Sequence, residues 1–318
     1  MLFRSCEFHH GIPCADWLRV VMNRIDPELF KACFSSWVAA CWPDQPDLVA
    51  IDGKTSRRSH DRKADKKALH LVSAFATRRR LVLGQEAVEA KSNEITAIPA
   101  LLERIELAGA VVSIDAMGCN PTIAQHILDA KADYLLAVKD NQPTLHAEIR
   151  SYFDTAPAAE VERFETLDKA HGRLERRVHS VSHAVDWIAP DRAYPGALRF
   201  PQLTTIAMVD SQVETAGKIA TDRRSYILSR QLTAEAFGDA VRSHWAIENS
   251  LHWVLDVTFN EDQSRLRAGH GAENMARVRH FAFNLLRHVD DKRSIKTRRK
   301  RAAWDPLYLL QILQPIRR

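Results

Sequence analysis

The chain has 318 residues, 46% of them hydrophobic and 27% charged, which is enough apolar side chain to bury a sizeable core and too much for a disordered polymer. Lysine and arginine outnumber aspartate and glutamate, 45 against 40, leaving a formal charge of +5 that favours an anionic partner. No run reaches the ~18 apolar residues of a membrane span and the first residues are too polar for a signal peptide; with five cysteines lacking paired CxxC spacing, a bacterial-type cytoplasmic protein with free thiols is expected.

Cys6, His9, His10 and Cys14 are zinc-type side chains, but no second ligand pair stands at finger spacing, so zinc is not the expected reading. From Ala15 to Trp42 the apolar positions Trp17, Leu18, Val21, Ile25, Leu29, Phe30, Phe34, Trp37 and Val38 recur at helical spacing. Asp26-Pro27 reads as an N-cap followed by proline at the first helical position, which predicts a helix pair. Pro43-Asp44-Gln45-Pro46 then breaks the chain as a linker.

Short β-type runs follow at Leu48 to Ile51, Leu69 to Phe75 and Leu81 to Val88. The spacing predicts a helix from Asn93 to Ala108 stopped by Gly109, a strand from Val111 to Ile114, a helix from Thr122 to Ala130 and a strand from Tyr134 to Val138. Strands that give way to alternating helices and strands make an α/β fold, a mixed sheet flanked by helices. Between 151 and 232 the texture turns β-rich and is punctuated by Pro190, Pro195-Gly196 and Pro201. Helical periodicity returns at Ala234, runs through Trp245, Leu251 and Leu255, and resumes from Asn274 to His288. These changes divide the chain at 1–46, 47–150, 151–232, 233–290 and 291–318.

Basic residues gather in three places: Lys54, Arg57, Arg58, Arg62, Lys63, Lys66 and Lys67; Arg78-Arg79-Arg80; and a carboxyl-terminal stretch from Lys292 to Arg301. Taken alone, the last reads as a solvated basic tail.

Two of the β runs end in aspartate, Ile51-Asp52-Gly53-Lys54 and Ile114-Asp115-Ala116. A strand ending in aspartate puts a carboxylate at the carboxyl edge of a sheet, where active sites of open α/β sheets collect, although a turn or helix cap explains either residue singly. A third carboxylate, Glu248, has His244 and His252 four positions to either side, which on an α-helix would place all three on one face. Three such carboxylates suit two divalent metals over a phosphodiester. The spacing around Glu248 is not the HExxH of zinc proteases. GxSxG, Walker A and GxGxxG motifs are missing, which weakens serine-hydrolase, NTPase and dehydrogenase readings.

The strings Ile51-Asp52-Gly53-Lys54, Ser113-Ile114-Asp115-Ala116-Met117-Gly118-Cys119, Asp133 to Pro143, His171-Gly172-Arg173-Leu174-Glu175 and His244-Trp245-Ala246-Ile247-Glu248-Asn249-Ser250-Leu251-His252-Trp253, in this order, resemble the DDE transposases of the ISAs-type, H-repeat-associated insertion sequences. The resemblance runs from about Gly11 to about Leu286. It implies an RNase-H-like core in 47–150 and 233–290, interrupted by the β-rich insertion of 151–232, with a residual helical region before it and a basic tail after it. It implies Asp52, Asp115 and Glu248 as the acidic triad binding two Mg²⁺ ions, with Mn²⁺ as a substitute, and places Glu261 and Asp262 as the fallback for the third ligand.

Lys54, Arg57 and Arg58 beside the first aspartate, and Lys139, Asn141, His244, Asn249 and His252 at matched positions, are the expected DNA-binding residues. Related transposases outside this group carry arginine and lysine around the final glutamate, where His244 and Leu255 stand here. The implied partners are double-stranded DNA, as terminal inverted repeats and target, and a second copy of the chain on DNA. The implied location is the bacterial nucleoid in the cytoplasm. Members of the group carry several tens of residues before the Gly11-Ile12-Pro13 segment, so the resemblance also implies an amino-terminally truncated copy. A catalytically inactive DNA-binding remnant and a stand-alone RNase-H-like nuclease are the other readings.

Overall fold

The computed structural model describes residues 13–43, 48–61, 65–88, 94–170, 172–188 and 200–314. Cys6, His9, His10, Arg62, Lys63 and most of the expected linker lie outside them. The helix pair is present as α1 (Ala15–Arg24) and α2 (Pro27–Cys41). Asp26 caps α2 as its spacing predicts, its Oδ1 accepting from the backbone N–H groups of Glu28 at 2.8 Å and Leu29 at 3.0 Å, a contact worth roughly 1 kcal/mol.

Strands β1 (Leu48–Ser56), β2 (Leu69–Ala76) and β3 (Leu81–Ala87) follow, then α3 (Glu94–Leu102), β4 (Val111–Ile114), α4 (Pro121–Asp129), β5 (Asp133–Val138) and α5 (Pro143–Thr155). Helix α3 stops six residues short of the expected Ala108. Its last turn tightens to bonds from Arg104 N to Leu101 O and from Ile105 N to Leu102 O, the 3₁₀-type closure that ends many helices. The second half of the chain holds β6 (Glu162–Ala170), β7 (Arg173–Ser182), β8 (Thr205–Thr215) and β9 (Lys218–Leu228), then α6 (Ala234–His244), a π-helical turn (Ile247–His252), α7 (Trp253–Val257), α8 (Gly271–His288), α9 (Ile295–Trp304) and α10 (Pro306–Ile312).

The chain divides into two compact units, and β1 contributes to both. One unit comprises the described parts of Gln45–Asp52 and Leu107–Trp245. Its strand order is β1-β4-β5-β9-β8-β7-β6. Strands β1, β4 and β5 are parallel, and β9 joins β5 antiparallel from Leu135↔Leu228 to Val138↔Ser225. The β-rich insertion is therefore four antiparallel strands that extend this unit's own sheet. Its core packs Leu48, Val111, Leu135, Tyr226 and Leu228 of the sheet against Phe237 and Val241 of α6, each worth about 1.5–3 kcal/mol on burial.

The other unit comprises the described parts of Met1–Asp44, Gly53–Glu106 and Ala246–Arg318. Strands β3-β2-β1 lie in that order, with β2 and β3 an antiparallel hairpin. Asn284 of α8, fully buried, pins that helix to β3 by accepting from Val82 N and donating to Val82 O, both at 2.9 Å. The parallel strands β1, β4 and β5 in one unit and the antiparallel hairpin β2-β3 in the other, with helices packed on them, are the elements of an RNase-H-like mixed α/β fold.

Residues 291–318, read from sequence as a solvated basic tail, contain α9 and α10 instead. Ser294 caps α9 through Thr297 N at 3.3 Å, and Asp305 caps α10 through Tyr308 N at 3.1 Å with Pro306 at the first helical position. Arg298 turns inward and donates to the Leu286, Arg287 and Val289 carbonyls at the end of α8, satisfying acceptors a helix end leaves open. Ile295, Tyr308 and Ile312 are buried, so a segment whose composition reads as tail is held by a few inward contacts.

Candidate active site

The parallel register of β1 and β4 runs Leu48↔Val111, Val49↔Val112, Ala50↔Ser113 and Ile51↔Ile114. Asp52 and Asp115 each follow the last of these pairs, so they stand at matching positions, with neighbouring strands about 4.8 Å apart in a sheet. The buried runs Leu48 to Ile51 and Val111 to Ile114 lead up to them. Asp115 comes directly after the end of β4 as expected, whereas β1 does not end at Asp52 but continues to Ser56, so the first aspartate sits inside its strand.

Asp115 leaves β4 in extended conformation and its Oδ1 accepts from Met117 N at 3.1 Å, capping a short 3₁₀ turn over Ala116–Gly118. The loop after β5 braces that turn. Asn141 Nδ2 donates to the Ala116 carbonyl at 2.6 Å and to the Cys119 carbonyl at 3.3 Å, and Gln142 Nε2 donates to the Cys119 carbonyl at 3.1 Å. Asn141, expected at DNA, thus holds the backbone that carries Asp115. Lys139 is exposed on the same loop.

His244 ends α6, where its Nδ1 shares a 2.9 Å hydrogen bond with the buried Ser113 hydroxyl, two residues before Asp115. Burial pulls its pKa down to about 4, so at neutral pH it is a neutral group bracing β4 and supplies no cation to a phosphate. His244, Glu248 and His252 share one face only if the segment is α-helical throughout. Instead α6 ends at His244 and Ile247–His252 winds as a π-helix, whose wider turn breaks the four-residue stacking.

On the π-helical turn Ile247 and Leu251 are buried as anchors, while Glu248 and Asn249 are exposed. His252 is half-buried, and burial, with Lys54 nearby, lowers its pKa to about 4. Lys54 shows an arrangement that its sequence position does not reveal. Its side chain is only 12% exposed and its Nζ lies 2.7 Å from Asp256, 3.3 Å from Glu261 and 3.4 Å from Asp262. Expected at a phosphate, Lys54 is engaged by three carboxylates of its own unit. Burial alone would lower its pKa, but Glu261, Asp256 and Asp262 outweigh that and raise it. Glu261, the fallback metal ligand, is buried between Lys54 and Arg279, the latter at 3.6 Å, which commits it to that ion pair. Arg57 is exposed and pairs with Asp262 at 3.3 Å, and the exposed Arg58 accepts from Arg267 through its carbonyl at 3.4 Å.

Sequence reading missed a cluster on the opposite face of β1. His70 Nε2 lies 2.6 Å from Glu94 Oε1, and His70 Nδ1 lies 2.7 Å from Thr55 Oγ1. Both His70 and Glu94 press on the backbone of Gly53, where an added Cβ would meet Glu94 Oε1 and come within 2.7 Å of His70 Nε2. Only the missing side chain after Asp52 hinted at it. Gly53→Ala is expected to displace Glu94 from His70 and to cost about 1–2 kcal/mol, read as a lower denaturation midpoint. Unchanged stability would refute that close approach.

The depressed histidines make a further expectation. His244 and His252 at about 4 and His280 at about 3 are lowered first by burial, below the ~6.5 of an unfolded histidine. As pH falls the unfolded chain takes up these protons first, so the stability is complete above about pH 6.5 and is lost as pH drops towards 4. The melting temperature should fall between pH 7.5 and pH 5, and fall less in a His280→Leu variant. Parallel pH profiles for the two proteins would exclude His280 as a source.

Among the described residues, no group of three or more His, Cys, Asp or Glu side chains is arranged to hold a metal ion. The Asp52 and Asp115 pair nevertheless fits Mg²⁺, which takes one or two carboxylates and fills its remaining positions with water and phosphate oxygen. Cys14 is exposed, and its Sγ accepts from Trp17 N at 3.4 Å as the N-cap of α1.

Comparison with known proteins shows the family. The sequence profile of the family described as "Transposase DDE domain" matches residues 42–285. The Escherichia coli O157:H7 protein named "Putative transposase YncI" is 40% identical over 311 residues, covering 96% of this chain and 79% of that protein. The Escherichia coli K12 protein named "H repeat-associated putative transposase YhhI" is 37% identical over 314 residues, covering 96% and 82%. A solved piggyBac transposase synaptic complex with hairpin DNA aligns at a TM-score of 0.44 and 10% identity over 92% of this chain and 60% of that one. With two aspartates at matching positions of adjacent parallel strands and the family profile spanning both of them, the chain belongs to the DDE-domain transposases.

Proposed function

We propose that the protein is an insertion-sequence transposase that cleaves DNA at transposon ends and joins the freed ends to target DNA, using Asp52, Asp115 and Glu248 to hold two Mg²⁺ ions, with Mn²⁺ as a substitute. The observation that carries this reading is the matched placement of Asp52 and Asp115 on neighbouring parallel strands. When bound, the metals supply Lewis acidity at the scissile phosphate and lower the pKa of the attacking water. The residues of the chain supply the rest. Asp52 presents its carboxylate from within β1 and Asp115 from the end of β4, and Glu248 presents a third, exposed carboxylate from a turn anchored by Ile247 and Leu251. Asn141, and Ser113 with His244, hold the loop and strand that aim Asp115.

In hydrolysis the water oxygen bonds to phosphorus as the bond to the 3′ oxygen breaks. In strand transfer that 3′ hydroxyl attacks the target phosphodiester and the displaced oxygen leaves. Each transposon end needs an acidic site, so the working form is a homodimer on DNA that binds terminal inverted repeats and target duplex, within the bacterial cytoplasm at the nucleoid. Among the described residues no helix is long and apolar enough to cross a membrane. Lys139, Arg57, Arg58 and Asn249, all exposed, are the phosphate-contact candidates that the fold leaves at the surface.

The test is Mg²⁺-dependent cleavage of duplexes carrying the flanking inverted repeats, compared between wild type and Glu248→Gln. Loss of cleavage with unchanged DNA binding is expected. A variant that cleaves like wild type would remove Glu248 from the site, and cleavage of RNA:DNA hybrids with no preference for the repeats would point to a general nuclease.

A further inference from the structure

Three stretches of basic residues far apart in sequence come together in the unit that holds the β2–β3 hairpin, and none belongs to the acidic site. The turn between β2 and β3 carries Arg78, Arg79 and Arg80, with Arg80 in the left-handed conformation at φ 55°. Two residues further on, Val82 is bonded on both sides to the buried Asn284 of α8, which sets the turn beside the carboxyl end of that helix at Arg287. Arg298 of α9 caps the same helix end, which brings the third basic stretch to the same place.

The tertiary structure also sorts the arginines and lysines of α9 by face. Arg298 is turned inward onto α8 carbonyls, and Arg301 is taken by Asp305 at 3.1 Å. Asp291 is engaged by Arg293 and by the Tyr308 hydroxyl at 2.8 Å, and its neighbour Asp290 is exposed. Lys292, Lys296, Arg299 and Lys300 remain exposed. Lys296, Arg299 and Lys300, spaced three and then one residue apart, share an outward stripe of α9, and Lys292 lies just ahead of the helix. Arg299 is stacked over Phe259 with its guanidinium carbon 5.5 Å from the ring centre, which fixes its direction. Arg287 lies close enough to Arg80 and Arg298 that burial first, and then their positive charge, lower its pKa. Like charges concentrated at a folded surface are unfavourable without a counter-charge.

We propose that the outward stripe of α9, together with the Arg78–Arg80 turn, is a docking surface for the phosphate backbone of duplex DNA, separate from the acidic site and serving sequence-independent grip. From Lys296 to Lys300 the stripe spans roughly 6 Å of helix, over which a duplex presents about three to four phosphate charges. That density suits the three cations that α9 presents, with Lys292 just ahead of them. Lysine and arginine along a helix flank suit phosphate oxygens, contacts that give position without sequence. The proposal rests on the reading of the chain as a DNA-processing enzyme.

The experiment is fluorescence anisotropy of the full chain with a labelled random-sequence duplex across a sodium chloride series. The variants are a triple Lys296→Gln, Arg299→Gln, Lys300→Gln protein, a double Arg78→Gln, Arg80→Gln protein, and a control, Arg163→Gln with Lys169→Gln, at exposed positions of β6 in the other unit. Each lost phosphate contact should flatten the slope of log affinity against log salt by about 0.9. The triple variant should therefore lose roughly two to three units of slope and at least tenfold in affinity at moderate salt, the turn variant one to two units, and the control little. Melting curves matching wild type would show that the exposed substitutions leave the fold intact. Wild-type slope and affinity in the triple variant overturn the proposal alone, and so does an equal loss in the control or tighter binding to anionic vesicles than to duplex. A wild-type chain that binds no duplex at all overturns both it and the proposed function.

Discussion

Asp52→Asn and Asp115→Asn are each expected to reduce Mg²⁺-dependent cleavage of repeat-bearing DNA by about a thousandfold or more. A bound metal is worth several kcal/mol of transition-state stabilisation, and about 4 kcal/mol corresponds to three powers of ten in rate. Asparagine keeps the size of aspartate and can still accept the Met117 N–H bond that shapes the turn after β4, so stability should change by no more than about 1 kcal/mol. The variants should also bind Mn²⁺ more weakly in titration calorimetry, a reading independent of turnover. Cleavage at wild-type rates in either protein would reduce that aspartate to a turn cap. Weak activity in wild type and variants alike would instead fit the inactive DNA-binding remnant.

Lys54→Met should lower stability by about 3 kcal/mol, because removing one partner of a buried ion pair leaves the other uncompensated. Glu261 is 2% exposed and would keep only Arg279, while Asp256 and Asp262 lose their shared cation. The sign of the pH dependence follows from Glu261. Burial raises its pKa, against the pull of Lys54 and then Arg279, and losing Lys54 raises it further. A folded-state carboxyl pKa above the unfolded value favours the folded chain as pH falls, so the gap in melting temperature between variant and wild type should narrow from pH 8 to pH 5. The salt slope of DNA binding should stay at the wild-type value, since the ammonium faces carboxylates. A slope smaller by about one unit would return Lys54 to a phosphate.

Much of the architecture is legible because it depends on local pattern. The cap at Asp26 and the strand end at Asp115 follow from neighbours within a few residues, and so do the apolar runs of β1, β4 and β5; the continuation of β1 past Asp52 to Ser56 was not legible, because Asp52-Gly53-Lys54 reads locally as a stop. The π-helical turn at Glu248 was not legible. An i to i+4 histidine pattern looks the same whether the backbone closes at four residues or five, and what decides is the packing of Ile247 and Leu251. The fate of the charged side chains was equally hidden. Lys54, Arg58 and Arg298 all read as surface cations, yet one is buried among carboxylates, one is exposed with its carbonyl engaged, and one caps a helix.

Composition and local spacing by themselves determined that this chain forms a mixed α/β sheet with an aspartate directly after each of two buried apolar runs, because hydrophobic runs and the polar residue that follows them are set by adjacent positions. Tertiary structure alone decided which cations are spent and which are presented. A charge has no preferred partner along the chain, and its environment is fixed by residues that can lie more than two hundred positions away, as Lys54 with Asp262 illustrates.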